Sequence, residues 1–274
     1  RDYAKAPTPF FDEKLAGRVL AKNGLLPHLA NSFLIFAGKR ELANCETSPK
    51  AVYFSSGRDR ASSTITTLVE RADGDLWAVK RLRYPQVNQS EGDGTAKVAW
   101  RSTESKWRIT PSIEELVLRA LLNGQTFEQA LQKVKIWVDS LERLVTDREA
   151  LPVWLLDPTW DNSFVENNQV EFVDQEWEAT QGLSVNLAVA RALYCFYAKV
   201  PPVLRQRVNP GRRSGRAWMF ETAETLGIKL GDVDISALLE FEVNLYQSVS
   251  VRKRRWTKQT MIKLFLLSTR LWEV

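Results

Sequence analysis

Three polar residues near the middle of the chain have the types and the spacing for metal-assisted chemistry on a hydroxyl group. Asp157 and Asn162 are five positions apart, and Asp174 follows at the end of an apolar run. We interpret the segments 155–165 and 170–177 as two short apolar strands with a polar loop between them. Carboxylate and amide oxygens are hard donors that suit Mg²⁺. The pattern therefore predicts a site that holds a divalent cation next to a hydroxyl nucleophile.

A β-rich segment upstream is expected to form the other half of this site. β-Branched and aromatic residues, separated by turn residues such as Asp73-Gly74-Asp75, predict an antiparallel meander. Its three strands are predicted over 51–54, 63–70 and 76–82. Lys80 lies on the third of these strands. The segments 96–102 and 106–110 predict a further hairpin.

The second part of the chain is predicted to be mainly helical. Ser112, with Glu115 three residues later, is a capping-box signal for a helix that ends near Leu122. Apolar periodicity predicts further helices over 127–144, 184–198, 218–226 and 235–249. Because the strands and the helices are segregated along the chain, the sequence predicts an α+β fold.

Composition argues against several classes of function. The only histidine of the 274 residues is His28, which argues against zinc sites and His-based catalysis. Two distant cysteines, Cys45 and Cys195, do not make a disulfide framework. The formal net charge of +5 is a mild bias that is compatible with an anionic ligand such as a nucleotide. It is too weak to predict nucleic-acid binding.

The expected location follows from hydropathy and from the lack of a recognisable signal peptide, and the first residue bears on the length of the polypeptide. No apolar run is long enough for a transmembrane segment, and no signal peptide is recognisable. We therefore expect a cytoplasmic protein, with peripheral attachment at the inner membrane as an alternative. The chain begins with Arg1 rather than Met, so we expect it to be part of a longer polypeptide whose other domains are its partners.

The chain resembles the protein-kinase-like superfamily, in its small-molecule and glycan phosphotransferase branches. The resemblance depends on Ala78-Val79-Lys80 in a strand, on Asp157 and Asn162, and on Asp174 further along the chain. It implies a two-lobed fold with a reduced β-rich N-lobe over 49–110 and a helical C-lobe over 111–274.

The same resemblance implies ATP and Mg²⁺ as cofactors and gives each residue a role. Lys80 and Gly57 would contact the nucleotide, and Asp157 would act as the catalytic base. Asn162 and Asp174 would bind the metal ion. The implied reaction moves the γ-phosphoryl group of ATP to a hydroxyl group of the acceptor.

The N-terminal segment, residues 1–48, is similar to the closing segment of a class I methyltransferase, with the residues 26–34 carrying the similarity. Together the two parts resemble bacterial O-antigen methyltransferase–kinase proteins. That resemblance implies a sugar or glycan acceptor and a role in bacterial surface polysaccharide assembly.

The motifs also differ from the pattern of that family. Leu155 and Leu156 stand where His-Arg is usual, and Gln175-Glu176 follows Asp174 in place of Phe-Gly. Gly57 is the single glycine of the nucleotide loop. These differences favour an alternative hypothesis, a catalytically inactive pseudokinase that serves as a binding or scaffolding module.

Lys80 requires an acidic partner to orient it, and position alone suggests Glu91 or Glu104. Lys80 could also be an ordinary strand lysine, and Asp157 could be a turn residue beside Pro158. If both are so, the chain is an α+β partner-binding domain in which the kinase-like spacing arises by chance.

Overall fold

The computed structural model describes residues 49–55, 57–85, 98–108, 110–146 and 149–249, together with the single positions 19, 23, 25, 260, 262, 263 and 266. Within these residues, strands and helices are both present and the strand pairs are antiparallel. The predicted α+β class is confirmed. Apart from three single positions, the predicted N-terminal segment 1–48 lies outside the described residues.

A four-stranded antiparallel sheet forms the first half of the fold, in the order β1-β2-β3-β5. Its strands are β1 (Ala51–Phe54), β2 (Thr64–Glu70), β3 (Leu76–Leu82) and β5 (Thr103–Lys106). The predicted meander is confirmed, because β1 pairs with β2 and β2 pairs with β3. The turn into β3 contains Gly74 at a φ of 79°, a left-handed conformation that glycine adopts without strain.

The hairpin predicted from 96–102 and 106–110 is wrong. β4 (Val98–Trp100) pairs instead with β8 (Trp177–Ala179), and β5 pairs with β3. Val98 and Trp100 pack against the main hydrophobic core, which explains why β4 does not pair with the strands of the four-stranded sheet. The β4–β8 pair therefore joins the sheet half of the chain to the helical half.

A second hairpin lies directly after the predicted metal-binding residue Asn162. It contains β6 (Ser163–Glu166) and β7 (Gln169–Phe172). Asn167 and Asn168 connect the strands with φ values of 51° and 60°, as a tight hairpin turn requires. The prediction that a strand begins at residue 155 is wrong, because Leu155 and Leu156 are buried in irregular backbone.

Seven α-helices with given bounds follow the first sheet in the described part of the chain. They are α1 (Ile113–Leu122), α2 (Phe127–Leu131), α3 (Lys135–Arg143), α4 (Val185–Lys199), α5 (Pro202–Val208), α6 (Gly215–Thr225) and α7 (Asp232–Val249). The capping box of Ser112 and Glu115 at the start of α1 is confirmed. The helix predicted over 127–144 is divided into α2 and α3 by a tight turn at residues 132–134. None of the described helices is long and apolar enough to cross a bilayer.

An aromatic cluster in the helical half fixes the loop that carries Asp157 and Asn162. Trp160 is fully buried, with its ring 4.8 Å from that of Phe196 and edge-on to that of Trp137 at 6.3 Å. The indole N–H of Trp137 donates to the Pro158 carbonyl at 3.0 Å. The loop is therefore held by the core as well as by its own backbone.

Gly182 provides a test of how tightly the segment before Asp157 is packed. A Cβ at residue 182 would lie 1.8 Å from the backbone oxygen of Leu151. We expect Gly182→Ala to lower the free energy of unfolding by about 1–3 kcal/mol or more, because backbone cannot move aside as a side chain can. Gly231→Ala is the matched control, since the nearest atom to its added Cβ lies 3.8 Å away. Urea denaturation of both variants measures the difference, and equal stability would contradict this packing.

Candidate active site

A cleft of about 560 Å³ lies between the sheet and the helical half. This volume is typical of a site for a small molecule. The sheet contributes Thr66, Ala78 and Lys80, and the helical half contributes Phe164 and Asp174. Asp174 and Lys80, which lie far apart in the sequence, therefore line one cavity.

Lys80 reaches two carboxylates across this cleft. Its ammonium group is in contact with the carboxylate of Asp174 and lies 2.9 Å from Oε2 of Glu176. The Glu176 side chain is 3% exposed, and its other oxygen is paired with Arg58 from the turn between β1 and β2. Four charges of alternating sign, Arg58, Glu176, Lys80 and Asp174, thus form one chain across the cleft, which we call the charge chain.

The acidic partner of Lys80 is therefore a residue that the sequence did not indicate. Glu104 is wrong as a candidate, because its carboxylate pairs with Arg71 on the exposed face of the sheet. Glu91 lies outside the described residues. Glu176 follows two positions after Asp174, so the same segment supplies both carboxylates that Lys80 contacts.

The two carboxyl groups of the charge chain respond differently to their surroundings. Burial raises the pKa of Glu176, but the hydrogen bond from Arg58 and the charge of Lys80 lower it more, so its pKa lies below the usual 4.5. Burial also raises the pKa of Asp174, and the charge of Lys80 only partly offsets this. The neighbouring carboxylates of Glu176 and Asp157 raise the pKa of Asp174 further. Additional positive charge beside Asp174 would therefore favour its ionised form.

Asp174 has a backbone conformation that few residues with side chains adopt. Its φ is 58°, in the left-handed region, which costs about 1–2 kcal/mol for a residue other than glycine. Gln175 holds the backbone on both sides of the site: its side-chain amide donates to the carbonyls of Val173 and Asp157, each at 2.8 Å. Its side-chain oxygen accepts from the Asp157 N–H at 2.9 Å. Backbone strain of this kind is common at functional sites.

Asn162 is held by one contact to the Asp174 segment and by another to the backbone of Asp157. Its backbone carbonyl accepts from the Val173 N–H at 2.9 Å, and its side-chain NH₂ donates to the Asp157 carbonyl at 3.3 Å. Its side-chain oxygen accepts no hydrogen bond from the residues that the structure describes. The fold thus brings Asp157, Asn162 and Asp174 together, as the sequence pattern requires.

Asp157 is paired with an arginine that the sequence gave no reason to single out. Oδ1 of Asp157 accepts a 3.2 Å hydrogen bond from the Thr159 hydroxyl and contacts the guanidinium of Arg191 in α4. Burial lowers the pKa of Arg191, but the carboxylates of Asp157 and Glu242 raise it more, so its net pKa lies well above the usual value. Arg191 is therefore a permanent cation beside Asp157.

Gly57 is not among the residues that line the cleft. It has a φ of 77°, and no atom lies within 4 Å of the position that a Cβ would take. Its conformation explains why glycine occurs at this turn position. The contact with nucleotide that the resemblance implies remains a prediction.

The residues around Asp174 fit a hard divalent cation on the chemistry of their donors. The amide oxygen of Asn162, which accepts no hydrogen bond within the described residues, and the carboxylate of Asp174 are both donors that suit an oxygen-seeking cation. Among the described residues, no three His, Cys, Asp or Glu side chains converge as a complete metal cage. Mg²⁺ does not require such a cage, because it keeps several waters and completes its coordination with phosphate oxygens.

No protein-family model matches the chain, and no curated protein or solved structure shows significant similarity to it.

The buried pairing of Glu176 gives a prediction about stability. At neutral pH we expect Glu176→Gln to lower the free energy of unfolding by about 1–3 kcal/mol, because Arg58 and Lys80 lose a buried ionic partner. Glu104→Gln removes an exposed pair with Arg71 and should change stability by less than about 1 kcal/mol. Denaturant titration of the two variants compares them, and similar losses would contradict a special role for Glu176.

The same variant gives a prediction about pH. Because the pKa of Glu176 is lowered on folding, its contribution to stability is complete above about pH 4.5 and is lost as the pH falls through the lowered value. The difference in stability between the parent chain and Glu176→Gln should therefore shrink on acidification. A difference that stays constant from pH 7 to acid would contradict the pairing.

Proposed function

We propose that the cleft binds ATP together with Mg²⁺ and that the chain transfers the γ-phosphoryl group to a hydroxyl group. The observation that carries this proposal is the meeting of Lys80 and Asp174 in a cleft with Asp157 and Asn162 beside it. A lysine and a carboxylate that line a cavity, with a second carboxylate and an amide beside it, are the groups that phosphoryl transfer uses. A kinase-like arrangement of two lobes accounts for their order along the chain.

The apolar lining supports a flat ring as part of the ligand. Ala78 of β3 and Phe164 and Val173 of the second hairpin region line the cleft, with Tyr53 of β1 beside them. Aromatic and aliphatic surfaces of this kind accommodate a purine. The segment around Trp107, which connects the sheet to α1, borders the same cavity.

The charged end of the cleft supports binding of phosphate groups. Lys80 would turn from Asp174 to the phosphate oxygens, while Glu176 would keep the ammonium group in place. Asp174 and the side-chain oxygen of Asn162 would hold Mg²⁺, which supplies charge neutralisation at the phosphates. The carboxylates of Glu176 and Asp157 add negative charge beside Asp174, which supports exchange of its lysine contact for a divalent cation.

We propose that Asp157 is the catalytic base that acts on the hydroxyl group of the acceptor. With Oδ1 engaged by Arg191 and Thr159, its Oδ2 would orient the acceptor hydroxyl and take its proton. The acceptor oxygen then bonds to the γ-phosphorus, the bond from that phosphorus to the bridging oxygen breaks, and ADP leaves. A sugar or glycan acceptor in bacterial surface polysaccharide assembly, at a cytoplasmic site, rests on the sequence resemblance.

A second candidate function is nucleotide binding without transfer. The observation that favours it is the state of Lys80, which is engaged by Asp174 and Glu176 at once. If a ligand does not replace the contact with Asp174, the cleft lacks a site for Mg²⁺ and serves as a binding or scaffolding module.

Lys80 tests the binding step. We expect Lys80→Met to weaken ATP binding by about 10- to 100-fold, the loss of one hydrogen bond to a charged group. Lys50→Met, which removes an exposed lysine from the same half of the fold, should leave the affinity unchanged. Isothermal titration calorimetry with ATP and MgCl₂ measures both, and equal affinities would remove Lys80 from the binding site.

Asp157 and Asp174 separate the two candidate functions. We expect Asp157→Ala to lower ADP formation from ATP by about 10²–10⁴-fold while the chain stays folded and binds ATP. Undiminished turnover in this variant would refute the role of Asp157.

Asp174→Asn should remove the effect of Mg²⁺ on ATP-induced thermal stabilisation. ATP stabilisation that is the same with and without Mg²⁺ in the parent chain, without turnover, would establish the second candidate.

A further inference from the structure

Arg191 is a buried cation that contacts Asp157 but takes no direct part in the bond changes of the proposed transfer. It lies in α4, is 6% exposed, and is in contact with the carboxylates of Asp157 and Glu242. A buried charge is costly unless it is paired and hydrogen-bonded, and both carboxylates contribute to offsetting the cost of burying the guanidinium. Glu242 is equally buried and lies in α7.

The guanidinium group of Arg191 links α7 to Asp157. Its Nε donates to Oε1 of Glu242 at 2.8 Å, and its Nη1 faces Asp157 and the Leu156 carbonyl, the latter at 3.4 Å. The ring of Phe241 lies 5.3 Å from the guanidinium carbon. Because the guanidinium is planar and rigid, fixing one end by α7 fixes the other end at Asp157.

The contact leaves one oxygen of Asp157 available. Oδ1 is used by Arg191 and by the Thr159 hydroxyl. Within the described part of the chain, Oδ2 has no hydrogen-bond partner. The side chain of Asp157 is 32% exposed, so a ligand can reach it. The pairing at Oδ1 therefore determines which oxygen faces an acceptor and in which direction.

We infer that Arg191 is a positioning residue for Asp157 and that Glu242 acts through Arg191. This inference rests on the proposed function, because its consequence is the rate of phosphoryl transfer. Arg191 and Glu242 affect the chemical step by orienting the Asp157 carboxylate, without contacting the nucleotide. The binding of ATP depends on the cleft and on Lys80, and it does not depend on the contacts of Arg191 with Asp157 and Glu242.

The test compares turnover with binding in the full chain. We expect Glu242→Gln to lower kcat for ADP formation from Mg²⁺–ATP, with water as acceptor, by about 10- to 100-fold. The KM for ATP and the calorimetric affinity for ATP should stay within about twofold. Asp232→Asn is the matched control, because it removes an exposed ion pair with Arg216 from the start of the same helix and should leave both quantities unchanged.

A pair of further variants tests whether Glu242 acts through Arg191. Arg191→Met should lower kcat at least as much as Glu242→Gln, and adding Glu242→Leu to it should cause no further loss in kcat. The double variant also replaces a buried ion pair by apolar groups, which proteins often tolerate without losing their fold. Circular dichroism and thermal unfolding show whether each variant is folded.

The outcomes distinguish the inference from the proposed function. A parent chain that does not convert ATP overturns both. A parent chain that converts ATP, with a folded Glu242→Gln variant or double variant of unchanged kcat, overturns the inference alone. Independent losses from the changes at 191 and 242, or an equal loss of ATP affinity and of kcat, also overturn it, because a merely structural role would produce them.

Discussion

The buried carboxylate of Glu176 is the interaction on which the arrangement of the cleft depends. Lys80 lies on β3, and Arg58 lies in the turn between β1 and β2. Both pair with the side chain of Glu176, which belongs to the helical half of the chain. The strand β8 begins at the next residue, Trp177, and pairs with β4. Ion pair and strand pair therefore act at the same place, and together they set the distance between Lys80 and Asp174.

Local patterns predicted much of the fold, because each of them depends on neighbours in sequence. The meander, the capping box of Ser112 and the grouping of Asp157, Asn162 and Asp174 are of this kind. Glu176 was not predicted as the partner of Lys80, because a single glutamate has no signature for a partner 96 residues away. β4 was paired wrongly for the same reason.

Arg191 shows a further limit of reasoning from sequence alone. An arginine in the apolar run of α4 reads as a residue that turns to solvent, since charged side chains are rarely buried unpaired. Only the packing of α4 against α7 shows that Glu242 compensates for its burial. The aromatic core around Trp137 and Trp160 has a related effect, because it restrains the loop of Asp157 from the opposite side. A site held from two sides by rigid elements is preorganised.

The contacts of α7 with the turn between β1 and β2 have a consequence for the order in which the chain folds. The Val249 carbonyl accepts from the Asp59 N–H, and the Ser248 carbonyl accepts from the Ser62 hydroxyl, a separation of 186 residues along the chain. Contacts between such distant residues form slowly, because a long loop must close first. During synthesis, the turn between β1 and β2 can therefore form its contacts with α7 only after α7 has left the ribosome.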